Sequence, residues 1–208
     1  MSSKAQFFGE RLAECGVRVH TPDFNQPDFS TLTISRMLQQ LEKRIAASPQ
    51  GPVVLFGSSL GGFLAIETAA RQVNQARHPI DRLILLAPAV ELEWDRWTEI
   101  AASGGVDAWK RKGEIEVFHY ADDKPRTLKY GFYQDAQRYN ASGRRLSPPA
   151  LIFQGRQDES VSPALVEKFA KAQPDARLHL LDDGHQLKGS LDVMWRETSR
   201  FLSLGRNS

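Results

Sequence analysis

The 208-residue chain holds one cysteine, Cys15, so no disulfide can form within it and its stability must come from packing. A reducing compartment is thereby permitted, and Cys15 itself reads as a small buried apolar residue. Charge of one sign is also scarce: Lys and Arg total 27 against 25 for Asp and Glu. A net +2 gives no field that would hold a polyanion or an anionic membrane, so nucleic-acid binding has no compositional support. Long apolar runs are missing too. The most apolar stretches, Val53 to Phe56 and Leu83 to Ala87, have the lengths of strands, far below the roughly 20 residues of a membrane span. No apolar secretory core follows Met1, so the expected location is the cytoplasm. Repeats, low-complexity tracts and charge blocks are absent. With 41% hydrophobic and 25% charged residues the composition is that of an ordinary globular protein, and the length suits one core.

Periodicity orders what remains. Ala5, Phe8 and Leu12 share one helical face, and Gly16 falls where a helix would end. Val17-Arg18-Val19-His20 alternates as a strand does, and Met37, Leu38, Leu41 and Ile45 line a second helix. Pro52 to Phe56 is an apolar run bounded by glycines, the pattern of a strand covered on both faces, and it feeds into a helical stretch reaching Gln75. Another buried strand is expected at Leu83 to Leu86. From residue 91 to 146 the character changes to three tryptophans, a Gly104-Gly105 pair and mixed charge, which reads as a cap inserted into one domain spanning 1–208. After Pro148-Pro149 come a strand from Ala150 to Gln154, a helix with Ser162 at its N-cap and Pro163 at its first position, a strand from Arg177 to Leu181, and a last helix bearing Leu191, Met194, Trp195, Thr198 and Phe201. The expected fold is α/β, a mostly parallel sheet with helices on both faces.

Gly57-Ser58-Ser59-Leu60-Gly61 fits G-x-S-x-G, in which a sharp turn from strand to helix holds the central serine above a sheet. The pentapeptide alone is a weak signal, but an apolar strand ends at it and a helix begins within it. A Cβ at Gly57 or Gly61 would crowd such a turn, and Gly62 with Ala65 would let the helix approach the strand closely. A serine hydroxyl needs a base to take its proton and a third group to orient that base. Asp158 leaves the strand ending at Gln154 for a loop, and Asp183-Gly184-His185 does the same after Leu181, so both reach the carboxyl edge of the sheet. Glu159 and Asp182 are substitutes for Asp158. Among the histidines, His20 follows a strand, His78 precedes Pro79, His119 lies in the insertion and His179 sits mid-strand. Only His185 combines a late strand end with a flanking glycine. Trp94, Trp97, Trp109, Tyr120, Phe132 and Tyr133 could line an apolar substrate pocket or form the core of the cap.

The three motifs, in the order Ser59, Asp158, His185, resemble those of the α/β-hydrolase superfamily along the whole chain, and within it the small YqiA-type bacterial serine esterases. Trp109-Lys110-Arg111-Lys112-Gly113 with Tyr130 is also similar to the cap of a branch containing mitochondrial acyl-protein thioesterases and acyl-glucuronide esterases. The resemblance implies Ser59 as nucleophile, His185 as general base and then acid, Asp158 as orienting carboxylate, and the Leu60 backbone N–H as an oxyanion donor. It implies cleavage of carboxylic esters through an acyl-enzyme, with thioesters as the alternative leaving groups and a small molecule as the partner. No metal or organic cofactor is implied, and the oligomeric state is left open. A reading of another class, a ligand-binding protein that has lost turnover, is motivated by the start of the chain. Members of the superfamily begin with a buried strand ending in a His-Gly loop that supplies a second oxyanion N–H. This chain shows neither before Ser2-Ser3-Lys4-Ala5. In the family's sheet that strand would lie between the ones expected at Val17 to His20 and Val53 to Phe56. Either the natural product is longer, or those two strands close up and the donor is replaced.

Overall fold

A computed structural model describes residues 3–71, 77–119 and 124–204. In chain order its first half comprises α1 (Ser3–Glu14), α2 (Ile34–Ala46), β1 (Val53–Ser58), α3 (Leu60–Arg71) and β2 (Ile80–Leu86). Next come α4 (Thr98–Ala102), α5 (Gly105–Lys112), β3 (Glu114–His119), β4 (Lys124–Lys129) and α6 (Gly131–Ala136). The last part is β5 (Ala150–Gly155), α7 (Pro163–Ala172), β6 (Ala176–Leu181) and α8 (Leu191–Phe201). Four strands form one parallel sheet in the order β1-β2-β5-β6, and β3 and β4 pair separately as an antiparallel hairpin.

Helices cover both faces of the parallel sheet, and the alternation of the strands explains how. Leu83 and Leu85 of β2, with Ala150 and Ile152 of β5, pack into the cluster built with α2, α3 and α7. Ile84 and Leu86, with Leu151 and Phe153, face Phe8 and Leu12 of α1 and Met194 of α8. Residues of one strand thus serve two cores, because successive side chains point to opposite faces. Each aliphatic side chain so buried contributes roughly 1.5–3 kcal/mol.

Several expectations need correction. Val17 to His20 is not a strand: the segment is irregular and Val17 and Val19 are exposed. A strand needs a neighbour to take its backbone hydrogen bonds, and among the described residues none is beside it. A groove of about 400 Å³ separates Val17 to His20 from Val54 to Phe56, both lining it, so the two segments do not close up. For the same reason β1 is an edge strand, paired with β2 alone; Leu55 packs into one core and Phe56 against Phe8 in the other, as expected of a strand covered on both faces, although Val54 is 38% exposed. Cys15 is free and exposed, because it lies beyond the last turn of α1, where the buried face formed by Phe8 and Leu12 has ended. The helix expected to reach Gln75 is described over Leu60–Arg71, and the rest of that expectation falls on residues 72–76, outside those described.

Between β2 and β5, the helices and the hairpin pack on each other through aromatic rings. Trp109 and Phe132 are buried, Trp94 sits between them, and the Trp109 indole N–H donates to the Leu128 carbonyl at 3.2 Å. The return from this segment is pinned to the core by Glu67 of α3, whose side chain is fully buried. Its carboxylate accepts from the Arg144 guanidinium at 2.9 and 3.2 Å and from the Asn140 N–H at 3.1 Å. Removing Arg144 would leave Arg71, 3.9 Å away, as the more distant cation facing the buried carboxylate. Arg144→Met is therefore expected to cost about 2–3 kcal/mol, less than for a fully buried pair because the guanidinium is partly hydrated, as urea denaturation would measure.

Candidate active site

The site starts from the end of β1. A Cβ added at Gly57 would sit 2.3 Å from the Gly61 carbonyl oxygen, and one at Gly62 would sit 2.6 Å from the Pro88 Cβ. These two positions require glycine, whereas Gly61, also expected to, would meet nothing within 4 Å. The tight turn leaves Ser59 at φ 54°, a left-handed conformation that costs a non-glycine residue on the order of 1–3 kcal/mol. It is held there by its backbone. The Ser59 N–H donates to the Leu86 carbonyl at 3.0 Å, and the Ser59 carbonyl accepts from Gly62, Phe63 and Ala89 N–H groups.

Asp158 comes from the loop after β5, and its side chain is fully buried. One carboxylate oxygen accepts from the Ser160 and Val161 N–H groups at 2.9 and 2.8 Å. The other accepts from the Gln154 amide and from His185 Nδ1, both at 2.9 Å. Burial pushes the carboxyl up, but the hydrogen bonds from His185 and Val161, with the attraction of the imidazole and the Gln154 amide, outweigh it and hold Asp158 below its ordinary value.

His185 comes from the loop after β6. Gly155 lets that loop approach β5: a Cβ there would lie 2.4 Å from the Asp183 carbonyl oxygen. The Asp183 carboxylate folds the loop back by accepting from Gly184 and Gly189 N–H groups and the Ser190 hydroxyl at 2.8 to 2.9 Å. The imidazole then spans the gap, with Nε2 3.2 Å from the Ser59 Oγ. An ionised Asp158 can only accept, so Nδ1 carries the proton and Nε2 is left to accept from the serine hydroxyl.

The structure therefore brings Ser59, Asp158 and His185 within hydrogen-bonding distance of one another. Asp182 bonds Gln157 instead, and Glu159 offers its backbone carbonyl to Arg96. Of the other histidines, His20 lies against Arg44, His119 against Phe29 and His179 against Phe153, while His78 is buried elsewhere. Leu60 opens α3, where its N–H has no acceptor within the helix. Ser162 is at the N-cap of α7 and Pro163 follows, but the cap makes no side-chain bond; the Ser162 N–H is taken by Glu93. Among the aromatic residues, Trp94 lines a cavity of about 330 Å³ with Phe63, Val90 and Tyr139. Trp109 and Phe132 pack inward against Trp94 and Trp97, and Tyr133 stacks on Tyr130. Tyr120 lies outside the described residues. Gln154, Gly155 and Asp183 escaped the sequence reading, since their roles depend on contacts between separate loops. Among the described residues no cluster of three or more His, Cys, Asp or Glu side chains could hold a metal, and no helix is long and apolar enough to cross a membrane.

A family model described as the alpha/beta hydrolase family matches residues 3–195. The chain belongs to the α/β-hydrolase family. Solved structures share the fold at low identity. Est1E from Butyrivibrio proteoclasticus with ferulic acid bound aligns at a TM-score of 0.79 and 20% identity, over 97% of this chain and 82% of that one. A monoacylglycerol lipase from Paleococcus ferrophilus aligns at 0.71 and 14%, over 97% and 89%. Mouse alpha/beta hydrolase domain-containing protein 10 aligns at 0.71 and 18%, over 97% and 84%. No curated protein matches the chain.

The depressed Asp158 carboxyl has a consequence for this α/β-hydrolase in acid. A carboxyl lower in the folded than in the unfolded state adds stability above the unfolded value, and that stability is lost as pH falls through the folded one. Wild-type stability should thus fall more steeply than that of Asp158→Asn below the ordinary carboxyl value of 3.8, as denaturation curves at successive pH values would read.

Proposed function

We propose that this α/β-hydrolase is a serine esterase that cleaves carboxylic esters of small molecules through an acyl-enzyme on Ser59. The supporting observation is the hydrogen-bonded chain from Ser59 through His185 to a buried, ionised Asp158. In the first half-reaction the Ser59 Oγ attacks the acyl carbon while its proton passes to His185 Nε2. The resulting imidazolium stays bonded to Asp158, whose negative charge is already in place before the reaction begins. In this reading the Leu60 N–H, at the start of α3, donates to the oxyanion. As the tetrahedral intermediate collapses, Nε2 returns the proton to the departing alcohol and the acyl group remains on Oγ. Water then loses a proton to Nε2 and attacks the acyl carbon, and as the acid departs Nε2 returns that proton to Oγ, which restores Ser59 and the neutral imidazole.

Residues 91–146 act in this reading as a cap over the site, held together by the Trp94, Trp109 and Phe132 cluster. The ester-cleaving names of structural neighbours, a monoacylglycerol lipase among them, favour oxygen esters. A fluorophosphonate probe tests the nucleophile: labelling of the wild type and its loss in Ser59→Ala are expected, with hydrolysis of p-nitrophenyl esters falling by about 10⁴-fold or more. Absence of labelling in folded wild-type protein would instead identify a ligand-binding protein without turnover. Acyl-CoA thioesters in the same panel separate the two leaving groups, and faster turnover of thioesters than of matched oxygen esters would reassign the substrate class.

A further inference from the structure

All six residues of β5 are buried, and alternation puts Gln154 on the face of Ala150 and Ile152, in the apolar core shared with α2, α3 and α7. It is 0% exposed. Its amide Nε2 donates to the Asp158 Oδ2 at 2.9 Å, to the Gly155 carbonyl at 3.2 Å and to the Val161 carbonyl at 3.5 Å, while among the described residues no donor reaches its Oε1. Turning the amide over would set Oε1 against a carboxylate and two carbonyls, all of which only accept, so charge fixes the orientation. A carbonyl buried without a donor costs stability that an apolar side chain of the same shape would not. A strand otherwise built for apolar packing thus carries one polar side chain, and its bonds all go to the turn from Gly155 to Val161 that bears the orienting carboxylate.

We propose that Gln154 is a positioning residue that fixes the Asp158 carboxylate to the sheet and thereby holds the His185 imidazole in line with Ser59. This rests on the reading of Asp158 as the orienting carboxylate of the esterase. The other donors to Asp158 do not stand on the sheet: the Ser160 and Val161 N–H groups belong to its own loop and move with it, and His185 is the group to be positioned. Among the described residues Gln154 alone ties that carboxylate to a strand, one enclosed between β2 and β6. Its amide and the His185 Nδ1–H meet on the same oxygen, Oδ2, so the amide sets where that oxygen lies and the imidazole follows. By also reaching the Val161 carbonyl, the same nitrogen closes the turn from its far end. A carboxylate free to swing would carry Nε2 away from the Ser59 Oγ, which lies 3.2 Å from it.

The test is Gln154→Met, with Gln154→Leu as a second apolar replacement so that a packing fault in one side chain does not decide the outcome. Hydrolysis of a p-nitrophenyl ester is expected to lose about tenfold to a hundredfold in kcat with KM little changed. Tm should stay close to that of the wild type, since loss of the donor is offset by removal of the orphaned Oε1. Labelling of Ser59 by a fluorophosphonate should slow by the same factor as kcat. In the Asp158→Asn background the same substitutions should change the labelling rate by less than about twofold, because a residue that acts through Asp158 then has nothing to position. In unreacted protein the His185 Nδ1 proton, observed by NMR, should move upfield and exchange faster with water once its acceptor is unpinned. An unchanged kcat in both folded variants, an equal slowing with and without Asp158, or loss of the fold in both overturns the proposal and leaves Gln154 a residue of the core. Failure of the wild type to label at Ser59 would count against the esterase reading instead, while the Nδ1 proton would still decide whether Gln154 positions His185.

Discussion

The approach of the end of β1 to the first turn of α3 is the contact on which the rest of the site depends. With the Gly57 backbone lying against the Gly61 carbonyl, no side chain fits, and Ser59 is forced into a left-handed conformation at the tip. The same turn stacks α3 on the segment after β2 through Gly62 and Pro88, so the core and the serine are set by one backbone path. Strain there is offset by ordinary forces: the buried aliphatic residues of β2 and β5 on one side, and four backbone hydrogen bonds to Ser59 on the other.

The second organising element is the carboxylate of Asp158. Four donors converge on it, so the cost of burying a charge is met by direct hydrogen bonds. Because it accepts only, the tautomer and orientation of His185 follow from it. Gly155 and Asp183 do not touch the serine, yet they decide where the imidazole lies, the first by admitting the neighbouring loop and the second by curling it.

Much of this was legible in the sequence, for reasons that are local. An apolar strand running into Gly57 to Gly61, and two later strands whose following loops carry Asp158 and His185, place those side chains on one edge by connectivity alone. The helix face of Phe8 and Leu12 and the buried runs of β2 and β5 are likewise written in periodicity. What was not legible depends on partners far away in the chain. Val17 to His20 has a strand's alternation but no strand beside it, and Cys15 has a buried residue's chemistry but lies past the end of its helix. Gln154 looks like one more residue of a buried strand until the loop carrying Asp158 folds over it. The aromatic residues of 91–146 are equally suited to lining a pocket or filling a core, and composition cannot separate the two. In the structure Trp109 and Phe132 fill, and Trp94 does both.

The position of β1 at the border of the sheet carries a consequence for where the molecule yields first. Val53 and Ser59 donate toward β2, so the alternate amides of Val54 and Phe56 point into the groove. Their protons can exchange with solvent through fluctuations confined to that rim, without the sheet coming apart, whereas those of β5, enclosed between two strands, must wait for a larger opening. The strand that leads into the Ser59 turn is thus open along one margin, as β6 is along the opposite one, and its early-exchanging amides lie within a few residues of the serine.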